Sequence, residues 1–491
     1  MLTILNWVLL IFSATVLIGL SLYSMRAAGD KDESGFLVAN NSLGPFVAAA
    51  TLVATGYSGF VFIGSPGVAY EYGSLELFSN TFYTPAFLIA TLFFANFLRR
   101  KAAKLGSQTI PEYIGQMHSN SVAGRWLQGI VAVIMVLLLG VFLVSQIKAI
   151  GLLVSGWLGV TPTTGALLIT LLVIGYTMFG GLRAVAWTDA AMVIGMVLGS
   201  CVIAYVVFVQ VGLGELIGRL DVLDPELANP TTGAPYGDSP WSAFLLLPYA
   251  FLWAAALPFM SVRFLAIKKN VSMARVGIWV AVLGLLLNFT PLAGLYAKAF
   301  YPDLASPDLA MPTFLEHGVG PLMSSMITLF ILFAMKSTAN SLMHTVSTAL
   351  SYDLRSALGQ NRGFMATMTF NRLMVLIVGI CGFVGMAFLP PVMILWLGIL
   401  GNGTLMAALF GVTFFSTFWQ GSSAGAFASI GAGFGVSAYL LLGTDLGWVQ
   451  GPLYGCLASA VCYVGVSWAT RRSTVAATLR ETSSIEKELS R

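Results

Sequence analysis

Long apolar runs alternate along the chain with short stretches rich in Lys, Arg, Gly and Pro. A helix that crosses a membrane needs about 20 mainly apolar residues. Thirteen runs meet that measure, beginning near residues 4, 44, 75, 125, 164, 184, 242, 274, 320, 366, 391, 420 and 449. The pattern predicts an all-α polytopic membrane protein with 13 transmembrane helices. The ninth run breaks its own hydrophobicity. In FAMKSTANSLMHTVSTAL, residues 333–350, the groups Ser337, Asn340, Ser341, His344 and Thr348 recur at three- and four-residue steps and share one helix face. A face of that kind turns toward a bundle interior or a watered cavity. Hydrogen bonding between packed helices is one use for it. With five polar groups and Lys336 beside them, a solute or ion site is the better reading.

Two runs are interrupted in the middle. The second contains Gly56, Gly59, Gly64 and Pro66, and the seventh has Pro258 shortly after three alanines. Packing glycines and a simple kink would explain either alone. Interruptions at matching places in two halves of a chain point to an inverted-repeat transporter, whose unwound backbone lines a site near the membrane midplane.

Composition agrees: 57% of residues are hydrophobic and 9% charged, against roughly 25% charged in soluble domains. The basic residues gather at the ends of the runs, including Arg99, Arg100, Lys101, Lys104, Arg263, Lys268 and Lys269 and those of the tail. Their distribution predicts the N-terminus outside and the C-terminus in the cytoplasm. Arg219 and Lys298 fall outside, while Lys148 and Lys336 lie within runs. The net charge of +4 therefore reports orientation, and no nucleic-acid partner is expected. Cys201, Cys381, Cys456 and Cys462 sit in apolar runs without metal-like spacing, so neither disulfides nor zinc are expected. Residues 1–25 lack the basic start and small-residue cleavage site of a signal peptide and read as a retained span. His118, His317 and His344 are scattered and no nucleophile elbow occurs, which argues against an enzyme. Residues 471–491 are too few for the output domain of a transporter-like sensor.

The segment GGLRAVAWTD, residues 180–189, resembles the signature of the sodium:solute symporter family, with Met192 where the family usually has Gln. SLGPFVAAATLVATGYSGFVFIGSPGVAYEYG, residues 42–73, is similar to the family's broken second helix. TIPEY at 109–113, VRFLAIK at 262–268, AMKST at 334–338 and FWQGSSAGAFASIGAG at 418–433 follow in family order. The resemblance covers almost the whole chain, and the second helix is nearest to the pantothenate and monocarboxylate permeases. It implies one transporter domain with a five-plus-five inverted-repeat, LeuT-like core and broken helices 2 and 7. Helices 2–6 (44–212) and 7–11 (241–417) would form the repeats. Helix 1 (1–25) and helices 12–13 (418–470) would be peripheral, and 471–491 a cytoplasmic tail. The implied location is a bacterial inner membrane.

The resemblance also implies sodium, held by the carbonyls of Ala54, Tyr57 and Ala334 and the hydroxyls of Ser337 and Thr338. A hard cation wants such oxygens, and a broken helix frees them. In some relatives a further cation lies near the signature Asp; the matching groups are Asp189, Ser337, Asn340 and Ser341. Asp189 is the only carboxylate expected inside a core span rather than at a loop edge, and a salt bridge to Arg183 is the competing use for it. Thr55, Gly56, Ser58, Phe60, Tyr83, Trp253, His344 and Asn402 are candidates for solute binding or gating.

Three departures bear on mechanism. Gly56 stands where amino-acid-carrying relatives place Asp or Asn, and Leu257 where Gln or Asn is usual, so a heavily hydroxylated sugar is disfavoured: each buried unpaired hydroxyl costs about 1–3 kcal/mol. Lys336 is the third. A charged lysine near the bilayer centre costs roughly 2.5–3.5 kcal/mol. It can pair with Asp189 in place of a sodium, hold a substrate carboxylate, exchange a proton, or form a structural ion pair. The expected function is symport of a small organic solute, anionic by preference, driven by sodium through alternating access. Proton-coupled or sodium-independent transport through Lys336 is the alternative.

Overall fold

The computed structural model describes residues 2–27, 37–119, 122–360, 364–388 and 392–489, and its named elements are all helices. In chain order the apolar segments are Leu2–Ala27, the bent pair Pro45–Gly56 with Phe60–Tyr72, Leu75–Leu105, Val122–Leu158, Pro162–Met178, Leu182–Val211, the bent pair Pro240–Ala256 with Pro258–Leu265, Met273–Phe300, Pro321–Ala357, Phe364–Met386, Ile394–Phe418, Ser423–Gly443 and Gln450–Thr470. These are called the first to thirteenth segments. Among the described residues, ten helices are long and apolar enough to cross a membrane, or twelve if each bent pair makes one crossing. Pro162–Met178 is shorter, at 17 residues, and belongs to a helix that runs on to Tyr205. At 1.5 Å per residue that 44-residue helix would reach about 66 Å, twice the ~30 Å hydrocarbon core.

Local chemistry sets the segment ends. Pro45, Pro162, Pro258, Pro291 and Pro321 stand in the first turn of their helices, where no backbone N–H is needed. Thr109, Thr161 and Ser422 accept a backbone N–H at helix starts. In the seventh segment Leu257 is extended (φ −75°, ψ 126°), as the residue before a proline tends to be, and the two halves meet at a 60° bend. The halves of the second segment meet at 47°.

Burial separates core from periphery. In the ninth and eleventh segments 67% and 89% of the most apolar stretch is buried, against 22% in the first and 28% in the tenth and thirteenth. The second and seventh segments are tied at one end: Leu43 pairs with Ile267 in a parallel bridge, with Leu43 N–H to Ala266 O and Lys268 N–H to Leu43 O both at 3.1 Å.

Residues 213–240 and 301–319 contain short helices rather than a separate domain. Tyr236 donates its hydroxyl to Glu76, which also accepts from Ser65 at 2.5 Å and Ser79 at 2.8 Å. Asp308 accepts the Ile394 N–H at the start of the eleventh segment, 3.3 Å to each oxygen. Besides Asp189, Glu76 and Asp353 are buried near segment ends, stabilised by hydroxyl and amide donors.

Candidate functional site

The second segment comes apart over Tyr57–Gly59. Tyr57 ends the first half, its N–H on Val53 O, and its phenol bonds Thr84 at 2.8 Å and Asn288 at 3.2 Å. Ser58 starts the second half: its hydroxyl accepts the Phe60 N–H and its carbonyl those of Val61 and Phe62. A side chain would be crowded at two places. A Cβ on Gly59 would lie 2.8 Å from Gln146 Oε1, and one on Gly56 would lie 2.3 Å from Phe87 Cε2.

The polar face of the ninth segment meets this break. Thr338 Oγ1 donates to the Thr55 carbonyl at 3.0 Å and lies 3.4 Å from the Ala334 carbonyl. Ser337, Ala54, Tyr57 and Ala334 are all buried, and the Ser337 hydroxyl has no hydrogen-bond partner among the described residues. The Thr338 hydroxyl, the Thr55 carbonyl and the buried Ser337 hydroxyl are oxygens of the kind a sodium ion takes, so their chemistry fits the ion.

Beside it lies a mixed aromatic and amide region. Trp253 stacks on Phe87 (5.7 Å, 12°) and meets Phe259 edge-on; Phe60 and Phe142 are edge to face, as are Tyr57 and Tyr83. Gln146 and Asn402 are fully buried, and both polar atoms of each amide lack a partner among the described residues. Each such atom costs about 1–3 kcal/mol if nothing pairs with it. Lys336 Nζ is buried, has no hydrogen-bond partner among the described residues and sits 4.9 Å from the Phe333 ring centroid.

A family model described as Sodium:solute symporter family matches residues 36–433. The chain belongs to that family. It is therefore an integral membrane transporter and not an enzyme. The sodium/pantothenate symporter of Haemophilus influenzae is 27% identical over 437 residues, 87% of each chain. That of Escherichia coli is 28% identical over 83% of this chain and 84% of its own. The osmoregulated proline transporter OpuE of Bacillus subtilis is 27% identical over 75% of this chain and 74% of its own. A Na+-coupled sialic acid symporter, solved substrate-bound and outward-open, shares the fold with a TM-score of 0.75 at 17% identity, covering 94% of this chain and 97% of its own. The nucleobase-cation-symport-1 transporter Mhp1 does so at 0.57 and 16%, covering 89% and 96%.

The region around this symporter's Asp189 differs from expectation. Arg263, read from sequence as a loop residue at the cytoplasmic end, is buried in the second half of the seventh segment. Its guanidinium donates to Thr51 (2.9 Å), Thr55 (2.7 Å), Ser341 (2.5 Å) and the Phe259 carbonyl, and stands 3.7 Å from Asp189 Oδ2. The partner of Asp189 is thus neither Arg183 nor Lys336. A run of apolar neighbours and the proline break hid it, because charge counting assigns an arginine near a segment end to the loop. Asn340 accepts from Thr177 at 2.6 Å, and Ser341 is held by Arg263. Of the four groups expected to form a second cation site, Asp189 and Ser341 stand at the guanidinium, Asn340 bonds Thr177, and the Ser337 hydroxyl is unpartnered among the described residues.

Gln146 was not foreseen; its signal was an amide inside a 37-residue apolar helix. His344 lines a small cavity with Asp353 and Thr348, and Pro258 and Val262 of the seventh segment line it too.

Proposed function

We propose that this symporter imports a small organic solute bearing a carboxylate, coupled to inward sodium movement, in a bacterial inner membrane with its N-terminus outside. One observation carries the sodium reading: the Thr338 hydroxyl at 3.0 Å from the Thr55 carbonyl, where the second segment is unwound, with the Ser337 hydroxyl buried and unpartnered beside it. Sodium would be held by Ser337, Thr338 and the carbonyls of Ala54, Tyr57 and Ala334. The bent second and seventh segments would be the broken helices of a five-plus-five repeat, rocking around this point.

The solute would lie among Phe60, Trp253, Gln146 and Asn402, with Lys336 drawing its carboxylate. The sodium/pantothenate and sodium/proline symporters among its relatives support a solute of this size with a carboxylate. Binding both ligands before the pathway closes is what couples them: the sodium charge sits next to the anionic solute, and each strengthens the other's hold. A thermal-shift screen of pantothenate, short monocarboxylates and amino acids, each in sodium and in potassium, tests this. A carboxylate that stabilises only in sodium supports it; stabilisation that is equal in both salts refutes coupling. The second reading, proton exchange at Lys336, is favoured by the absence of an ion-pair partner for its ammonium among the described residues; uptake that follows a pH gradient in sodium-free buffer would select it.

A further inference from the structure

The ninth segment does not end at the sodium position. Its α-helical part closes at Thr348 and continues as a π turn over Ala349–Asp353. The five-residue step from Thr348 to Asp353 matches the bonding interval of that turn and returns Asp353 to the polar face. Thr348 and Asp353 line one cavity of about 20 Å³, room for a single water-sized particle, together with Gln108, Thr109, His344 and Thr345.

Asp353 is buried, and Thr109 Oγ1 (2.5 Å) and Gln128 Nε2 (3.0 Å) both donate to the same oxygen, Oδ1. Oδ2 accepts no hydrogen bond, and no cationic side chain pairs with the carboxylate among the described residues. The Thr348 hydroxyl, more than nine-tenths buried, has no partner there either, nor has Gln108 Oε1. Residues carrying a carboxylate, a hydroxyl and an amide thus line a space for one particle. No group of three His, Cys, Asp or Glu able to hold a metal occurs among the described residues, so a divalent or transition metal has too few strong ligands. A cation is one partner that stabilises a buried carboxylate held in place by neutral donors.

We propose that Asp353, Thr348 and Gln108 form a separate site for a single sodium ion, a stop on its way out. The proposal rests on the sodium-coupled reading. In the orientation proposed above the cavity lies at the cytoplasmic end of the ninth segment, on the same helix face as Ser337 and Ser341, so an ion leaving the broken second segment meets it next. Helix Ile110–His118, whose first turn Thr109 caps while also donating to Asp353, is positioned to respond to the ion's arrival.

Binding of radioactive sodium to the purified full-length protein, counted by equilibrium dialysis at saturating sodium, tests the site without a known solute. Asp353→Asn and Thr348→Val each lose one bound sodium per protein. Ser337→Ala loses a different one, so that Ser337→Ala combined with Thr348→Val loses two. If Asp353→Asn does not fold, Thr348→Val, which keeps nearly the same shape, carries the test. Wild-type stoichiometry in Thr348→Val, or a loss of only one ion in the combined variant, overturns the site while leaving the coupling position standing. Wild-type protein that binds no sodium overturns both.

Discussion

Replacing Arg263 with Met removes the guanidinium and keeps most of the buried stem. Asp189 then remains fully buried with the Thr51 hydroxyl at 2.5 Å as its hydrogen bond, and Thr55 and Ser341 lose a charged donor. Breaking a buried pair from one side costs about 3–5 kcal/mol. The 3.7 Å separation is longer than a charge-assisted bond, so the lower end, about 3 kcal/mol, applies. At roughly 2 °C per kcal/mol for a large protein this lowers the melting midpoint by about 6 °C. Asp189→Asn with Arg263→Met removes both charges and recovers at least half of the loss. The single variant has a further consequence. An unpaired Asp189 beside Ser341 can take a sodium ion where the guanidinium stood, and an ion at a hundredfold excess over its Kd restores about 2.7 kcal/mol. Melting followed by intrinsic tryptophan fluorescence, in sodium and in potassium, therefore gives Arg263→Met a larger sodium-specific rise than wild type. A wild-type midpoint in Arg263→Met, or strictly additive losses in the double variant, would refute the pair.

Gly59→Ala places a Cβ 2.8 Å from Gln146 Oε1 and 3.2 Å from Met335 Cγ, and is expected to destabilise by about 1–3 kcal/mol and to reduce solute affinity more than tenfold, read by titrating a solute hit against the melting midpoint. Lys336→Met is expected to weaken carboxylate binding at least tenfold while leaving sodium stabilisation in place; equal losses for an anionic solute and its neutral amide would remove the lysine from the carboxylate. Asp308, in the loop 301–319, has its carboxyl pushed up to about 6 by burial, with Lys148 and the Ile394 N–H opposing. The folded state then holds more protons than the unfolded chain between about pH 4 and 6, so stability falls by roughly 3 kcal/mol as pH rises through that window and is level above it. Asp308→Asn abolishes that difference, and midpoints measured from pH 4 to 7 check it.

Many segment starts were legible because twenty-residue apolar runs have one economical solution in lipid: runs expected near 44 and 274 begin at Pro45 and Met273, whereas those expected near 164 and 184 fall in the single helix Pro162–Tyr205. The Tyr57–Gly59 and Leu257 bends fall where glycine and proline interrupt the pattern. Side-chain partnerships were harder. Arg263 reads as an ordinary end-of-segment basic residue until the 60° bend carries it inward to Asp189. Gln146 and Asp353 gained meaning only from neighbours far away in sequence, Gly59 leaving the space that Gln146 fills and Thr109 bonding Asp353 across 244 residues. Periodicity assigns a residue to a face, but the face opposite is set by packing.

The central claim is that sodium bound between the unwound second segment and the ninth drives solute import. Its most direct test is uptake of a solute identified by the thermal-shift screen into proteoliposomes, under an inward sodium gradient and under potassium alone, for wild type and Ser337→Ala. Wild type is expected to accumulate solute above the external concentration only with the sodium gradient. A sodium half-saturation at least tenfold higher is expected in Ser337→Ala. Equal accumulation in potassium, or an unchanged sodium dependence in Ser337→Ala, would contradict the claim.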